Sequence, residues 1–526
     1  MKILFLYPNT AMVSRIPLGI SYLAAYLKKD GHDIRLFDTT FIKCGKTRND
    51  EDLRASSLQV HNPDLKKYGL VERDIDAAGL FEIEIEKFKP DLIAMSVVDP
   101  NYAFGLGLLK NIKKRHKDVL TAAGGPTATF APEEVIGEDC VDIICVGEGE
   151  MAMRELCNRI ERREDIKDIK NIWVKENEKV YKNAARPLID VNELPSPEWD
   201  IFDQRHLLRP LGGRIYRMGL FAMTRGCLFP CRYCGNLALL QIYKGQKEFY
   251  RIRKVESLIQ EITSYKKKYN LNFVFFADDI FPLHKEETLD DFCRRYKEQV
   301  ALPFSINLHP GLIKEELFAK IVDAGCRNIC VGLESGSPKI REEVLGRHYK
   351  NEQIIHVFNL ARKYKIRSSS FNMIGLPHEK RSDIFETIEL NRRSRPSSAT
   401  LSFFHPYRGT KLRELCINEN LFTLSKEKEY EDVSRTISCL DLPQISKETL
   451  EGLFRTFQMY IKLPKILHGL IRMAEKKAVF GNFIYNTLKM IFYIVSYKEL
   501  EWNFTKKSST PIEEKFNGQK SAPEFL

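Results

Sequence analysis

Several things are missing from these 526 residues, and each absence removes a class of protein. No run approaches the roughly 20 consecutive apolar residues that a bilayer-spanning helix needs. No signal peptide or other targeting segment stands out, so the expected compartment is the cytoplasm. No internal repeat is present, which excludes a solenoid. Lysine and arginine exceed the acids by 11, yet they are spread out, with no basic-aromatic stripe and no nucleic-acid module. A solvated basic surface is the expectation, and no nucleic-acid partner. The Gly-x-Gly-x-x-Gly turn of a dinucleotide fold is missing after the first strand-like run. One group of cysteines is tightly spaced, and no second Cys pair or His-x3-5-His follows it, as a closed zinc site would require. Disulfides are not expected from 12 mostly scattered cysteines without a secretion signal.

What is present is ordinary in bulk. Hydrophobic residues make up 43% and charged residues 29%, as in a soluble globular protein, and the length calls for two or three domains. The informative segment is Thr224-Arg225-Gly226-Cys227-Leu228-Phe229-Pro230-Cys231-Arg232-Tyr233-Cys234-Gly235-Asn236, directly after a strand-like run at Leu220 to Met223. Cys-x3-Cys-x2-Cys offers three thiolates from one loop. A four-iron cluster has four corners, so three ligands leave one iron open to something other than protein. The remaining cysteines (Cys44, Cys140, Cys145, Cys157, Cys293, Cys326, Cys330, Cys416 and Cys439) read as inert buried thiols.

Downstream, short apolar runs alternate with helical patterns, as a parallel α/β arrangement requires. Strands are expected at Phe273–Ala277, Pro303–Leu308, Asn328–Leu333, Ser368–Ile374 and Thr400–His405. Helices are expected at Val255–Lys268, Lys314–Ala324 and Asn351–Lys365. With the run before the cysteines this makes six βα units, a partial TIM-like (β/α)6 barrel with its chemistry at the C-terminal strand ends. Those ends carry Asp278-Asp279, Glu334, Asn372 to Gly375, and His405-Pro406-Tyr407-Arg408.

The cysteine triplet, with an aromatic before its last cysteine, resembles the signature of the radical S-adenosylmethionine (SAM) superfamily. The resemblance implies that Cys227, Cys231 and Cys234 hold a [4Fe-4S] cluster whose open iron chelates SAM. Reductive cleavage of SAM then yields a 5′-deoxyadenosyl radical. It implies SAM contacts at Tyr233, Asp278, Asp279, Glu334, Asn372 and Gly375. Asp278 and Asp279 would lie near the methionine ammonium and Glu334 near the ribose or amino group, while Gly375 would let the backbone approach adenine. The Asp-Asp pair departs from the family's usual Gly-Gly-Glu-like motif.

The first half reads as a doubly wound, flavodoxin-like sheet: strands Met1–Tyr7, Asp33–Phe37, Pro90–Ser96, Leu120–Ala123 and Asp142–Val146, with a helix at Leu18–Lys29. Ligands of such sheets lie beyond the carboxyl ends, near Thr10, Ser96, Gly124 and Gly147. Pro17-Leu18-Gly19, Gly124-Gly125-Pro126 and Gly147-Glu148-Gly149-Glu150, in that order, resemble the cobalamin-binding domain fused to many radical SAM enzymes. That likeness implies cobalamin contacts at Thr10, Leu18, Gly19, Ser96, Gly124, Gly125, Pro126, Gly147, Glu148 and Glu150. The Asp-x-His-x-x-Gly segment that supplies a cobalt ligand elsewhere is absent, and Thr127 stands where this fused family often has histidine. By that likeness, the lower face of cobalt would be left to water or to nothing.

The resulting organisation is a cobalamin domain over 1–155, a hairpin and Pro-rich linker over 156–214, a radical SAM barrel over 215–425, a helical region over 426–505 and a disordered tail over 506–526. Expected helices at Lys447–Ile461, Pro464–Lys477 and Phe483–Tyr497 pack against the barrel mouth; contact with a membrane surface is the less favoured alternative. The leading expectation is a cobalamin-dependent radical SAM C-methyltransferase, with His405, Tyr407 and Arg408 lining its cavity. A radical SAM cyclase or rearrangement enzyme is second, and a cobalamin-binding sensor third. The substrate is left open among small molecules, lipids and peptides, and a reducing partner such as flavodoxin or ferredoxin would supply electrons.

Overall fold

A computed structural model describes residues 1–10, 15–44, 54–60, 63–246, 248–424, 435 and 437–500. The first sheet contains β1 (Lys2–Tyr7), β2 (Asp33–Asp38), β3 (Leu92–Ser96), β4 (Leu120–Gly124) and β5 (Ile143–Cys145), all parallel. Their order is β2-β1-β3-β4-β5, so the strand order reverses beside β1. β1 is apolar on both faces because both faces are covered. Ile3 and Phe5 pack with Ile20, Ala24 and Leu27 of the helix Leu18–Lys29. Leu4 and Leu6 pack with Phe81, Ile85, Leu106 and Leu109 of the helices Ala77–Phe88 and Tyr102–Arg115.

The expected hairpin forms as β6 (Ile172–Glu176) and β7 (Lys179–Tyr181), turning through Asn177 and Glu178 at φ 47° and 64°. It extends the first sheet beyond β5 as two antiparallel strands. The Pro-rich strap that follows buries Trp199 completely, in a ring cluster with Phe221, Tyr265 and Tyr269. Through that strap the two sheets share one continuous core.

The second sheet begins with β8 (Leu208–Leu211), antiparallel to β9 (Arg214–Phe221). A short antiparallel pair, β10 (Thr224–Arg225) and β11 (Arg251–Ile252), flanks the cysteine loop. Then come β12 (Phe273–Phe276), β13 (Phe304–Leu308), β14 (Cys326–Glu334), β15 (Arg367–Ile374) and β16 (Ser398–Phe403). The order β8-β9-β12-β13-β14-β15-β16 makes β9 and the last five strands a six-stranded parallel set, the expected partial barrel. The strand before the cysteines stops at Phe221 rather than Met223, because a carboxylate captures the Met223 amide.

Three helices follow: Lys447–Lys462, His468–Ala474 and Val479–Leu500. Leu450, Leu453 and Phe457 of the first pack on Leu401, Phe403 and Ile388 of the barrel. The expected helix Pro464–Lys477 is shorter: Pro464 caps a single 3-10 turn, and regular helix starts only at His468. Among the described residues no helix is long and apolar enough to cross a membrane. The expected disordered tail from Lys506 lies outside the described residues.

Candidate active site

The cysteine loop is rooted by a buried carboxylate. Asp278, at the end of β12 and 0% exposed, accepts hydrogen bonds from the Met223 amide (2.9 Å), the Thr224 amide and the Thr224 hydroxyl (2.6 Å) through Oδ1. Its Oδ2 is buried without a partner, and burial raises the carboxyl to about 7. Through Oδ1, Asp278 therefore fastens the loop. Asp279 points the other way, accepting from the Asn236 amide at 2.9 Å, while that amide lies 3.7 Å from Cys234 Sγ. At Gly226, φ is +84° and a Cβ would stand 2.3 Å from the Phe249 carbonyl, so no other residue turns the chain into Cys227.

All three thiols are free; Cys231 is buried, and Cys227 and Cys234 are half-buried. Burial raises each of them, Cys227 to about 12. A bound metal displaces those protons. Among the described residues no three His, Cys, Asp or Glu side chains converge on one point as a mononuclear ion requires. Three free thiols on one loop are instead the donor set that a four-iron cluster with one open iron takes.

Opposite the loop stands a group that no sequence motif announced. Arg347 donates from Nη1 to the Tyr233 hydroxyl at 2.8 Å and lies 4.0 Å from Cys231 Sγ and 3.6 Å from Glu334. Its Nη2 donates to the Gly332 carbonyl at 3.1 Å, and its Nε is buried without a partner. Glu334 takes φ +61° where the β14–β15 register slips, an unusual backbone state for a side chain this large. Burial raises its carboxyl despite the nearby guanidinium. His309, just beyond β13, stacks on Phe229 of the cysteine loop with ring centroids 3.6 Å apart. Its Nδ1 accepts from the Gly311 amide at 3.2 Å, which leaves the proton on Nε2, itself buried and unpartnered. Burial lowers His309 to about 3, so the ring is neutral.

Two further expected SAM residues lie along β15 and its end. Asn372 lies within the barrel wall, donating to Ser370 Oγ (3.1 Å) and the Thr400 carbonyl (3.0 Å) and accepting from Asn391 (2.8 Å). Its amide is thus held by protein hydrogen bonds, while the residue also lines the inner face of the sheet. Gly375 has φ +75°, and its turn is held by Glu379 Oε2, which accepts from the Gly375 and Leu376 amides at 2.7 and 3.2 Å.

At the ends of the first sheet, Thr10 donates to Asn101 at 2.9 Å, and Ser96 and Gly124 sit half-exposed side by side. Gly125 and exposed Pro126 lead into the helix Pro126–Phe130. Half-buried Leu18 and exposed Gly19 open the helix Leu18–Lys29, with nothing within 4 Å of a Cβ at Gly19. These residues form an open, small-residue ledge that fits a flat ligand. Thr127 does not face that ledge: it is 0% exposed and donates to Asp99 at 3.0 Å.

The other expected cobalamin residues grip what flanks the cysteine loop, the β10–β11 pair and the helix Gly235–Ile242. A Cβ at Gly147 would meet the Tyr243 hydroxyl at 2.2 Å, and the Glu148 amide donates to that hydroxyl at 2.7 Å. The Glu148 carboxylate holds Arg251 (3.1 Å to Nη1), and Glu150 holds Arg225. Arg408 behaves likewise: its Nε and Nη2 pair with Glu134 at 3.0 and 2.9 Å, and its amide donates to Asp99 at 2.8 Å. Gly147, Glu148, Glu150 and Arg408 are thus joints between the two halves of the chain, through the segments flanking the cysteine loop and the loop after β16, with their polar groups engaged by protein.

A cavity of about 700 Å³ fills the inner face of the second sheet. Tyr233, Glu334, His405 and Tyr407 bound it at the strand ends, and Arg15 and Gln59 reach it from the first half. Burial lowers His405 to about 4, and Tyr407 accepts from Arg435 at 2.7 Å. At the opposite end Arg367 lines the cavity with its Nε buried and unpartnered.

Comparison with known proteins agrees with this architecture. Residues 221–390 match the model of the radical SAM superfamily, and residues 67–157 match that of the B12 binding domain. An uncharacterised methyltransferase of Pyrococcus horikoshii is 26% identical over 91% of this chain and 98% of its own length. The anaerobic magnesium-protoporphyrin IX monomethyl ester cyclase of Rubrivivax gelatinosus is 23% identical over 77% of this chain and 68% of its own. The structure of the radical SAM methyltransferase TsrM from Kitasatospora setae superposes with a TM-score of 0.62 at 14% identity, covering 94% of this chain and 99% of that one, which shows a shared fold. The radical SAM domain implies a [4Fe-4S] cluster and SAM, and the B12 domain implies cobalamin; the free thiols and the open ledge fit them. The chain belongs to the cobalamin-binding radical SAM enzymes.

Proposed function

We propose that this enzyme is a C-methyltransferase acting on an unactivated carbon, with Cys227, Cys231 and Cys234 holding three corners of the cluster. The observation that carries the reading is a cavity walled by both halves, with Tyr233, Glu334 and Tyr407 from one and Arg15 and Gln59 from the other. A substrate there would meet both cofactor regions at once. When bound, the cluster and SAM supply a radical that removes a substrate hydrogen, and methylcobalamin supplies the methyl group.

The chain's own groups provide geometry and exclusion of water. Asn236, held by Asp279, steadies Cys234. Arg347 ties Tyr233 to the end of β14 and brings a fixed positive charge beside Cys231. His309 braces Phe229 and offers a neutral N–H. Arg367 suits an acidic group on the substrate, because a buried guanidinium is stabilised by an anion. A flavodoxin or ferredoxin is the proposed electron source.

Incubation of anaerobically reconstituted protein with methyl-labelled SAM tests this: label enters the product, and 5′-deoxyadenosine and S-adenosylhomocysteine both accumulate. The likeness to the cyclase favours ring closure as the second reading. In that case 5′-deoxyadenosine forms and the product carries no label.

A further inference from the structure

The last helices are apolar on the outside as well as on the inside. In Val479–Leu500, Ile484, Tyr485, Leu488 and Phe492 face the core at 2–8% exposure. On the other side Phe480, Phe483, Met490 and Ile494 are 62%, 68%, 69% and 72% exposed. Their spacings of three, seven and four residues draw one stripe along the helix. Next to it, Ile466 is 89% exposed and Leu470 and Met473 more than 40%. Large outward side chains clustered in this way mark a docking surface.

Charge says what docks. From Pro464 to Val495 the chain has five basic residues, Lys465, Arg472, Lys476, Lys477 and Lys489. Its one acid there, Glu475, is turned inward, held by Arg381 at 2.9 Å and the Tyr460 hydroxyl at 2.6 Å. Lys465 and Lys477 reach Glu389 and Glu451. The outward charge of these helices is therefore basic. Two copies meeting through this face would oppose like charges. An apolar stripe edged by cations instead matches the boundary between anionic headgroups and acyl chains.

We propose that the face formed by Ile466 to Met473 and Val479 to Ile494 docks on the surface of an anionic lipid bilayer, without crossing it. The stripe enters the headgroup boundary, and Arg472, Lys476 and Lys489 meet lipid phosphates. The same helix lends Phe492 and Tyr493 to the cavity wall, so docking would bring that wall to the bilayer. The proposal does not depend on the methyl-transfer reading.

Flotation of the full-length, cofactor-loaded protein tests it, with vesicles of phosphatidylglycerol and phosphatidylcholine against phosphatidylcholine alone. The protein is expected to float with the anionic vesicles and to be released by salt. Phe480→Glu with Phe483→Glu should weaken partitioning about ten-fold or more while circular dichroism stays unchanged. Failure to float with anionic vesicles overturns the proposal. So does a dimer in sedimentation velocity that Phe483→Glu disperses. A photo-reactive group at position 483 that crosslinks, with vesicles present, to the chain's own residues beyond 500 rather than to lipid overturns it as well.

Discussion

Arg225, two residues before the first clustered cysteine, is paired with the buried carboxylate of Glu150, where the last helix crossing the first sheet begins. The pair couples the carboxyl end of the B12-binding sheet to the root of the cysteine loop. Arg225 retains a weaker partner in Glu148, 3.5 Å away. Glu150→Ala should therefore cost about 2 kcal/mol, less than for a fully stranded buried charge. Urea unfolding measures it, against Glu133→Ala, whose exposed bridge to Lys182 is worth under about 1 kcal/mol.

Each of Cys227→Ala, Cys231→Ala and Cys234→Ala should abolish iron retention and SAM cleavage while leaving the fold intact. Cys293→Ala, away from the loop on the helix Glu286–Arg295, should leave both unchanged. Iron and sulfide analysis after anaerobic reconstitution decides.

Arg347 puts a fixed positive charge 4.0 Å from Cys231 Sγ. Arg347→Met should keep the iron, shift the cluster midpoint to more negative potential, and slow SAM cleavage about ten-fold. Arg347→Lys should recover part of the potential. Redox titration followed by electron paramagnetic resonance reads both.

Glu379 is buried, accepts two backbone N–H bonds, and is raised from 4.5 to about 8 by burial. The folded chain thus keeps a proton that the unfolded chain releases, so this group's stability contribution falls as pH rises from 4.5 to about 8. Glu379→Gln can still accept from those amides and cannot ionise. Its stability relative to the parent should grow across that window, by up to about 1.4 kcal/mol per pH unit, and stay constant above it. Urea midpoints at about pH 5 and about pH 8.5 compare the two.

Much of this was legible in the chain because its signals are local. The helices Leu18–Lys29 and Val255–Lys268 have their expected bounds, and strands such as Leu120–Gly124 and Ser398–Phe403 fall within a residue or two of expectation, since apolar periodicity and breakers set them. Polar strand-end residues were harder. Glu148, Glu150 and Arg408 have the chemistry of ligand contacts, and only tertiary structure reveals that each meets an opposite charge from the other half of the chain. Asp278 turns inward because the amides it captures arrive from another strand. Arg347 and His309 stand outside any motif: His309 follows β13 directly, Arg347 lies past β14 and the helical turn Ile340–Val344, and both meet loop residues more than 75 positions earlier in the chain.

The most direct test is magnetic resonance of the reduced, anaerobically reconstituted protein with SAM labelled at its amino nitrogen and carboxylate oxygen. Hyperfine coupling from both labels to the iron cluster is predicted, and its loss in each of the three cysteine variants. Zinc in place of iron, or a cluster held by four protein thiolates and unchanged by SAM, would contradict the account.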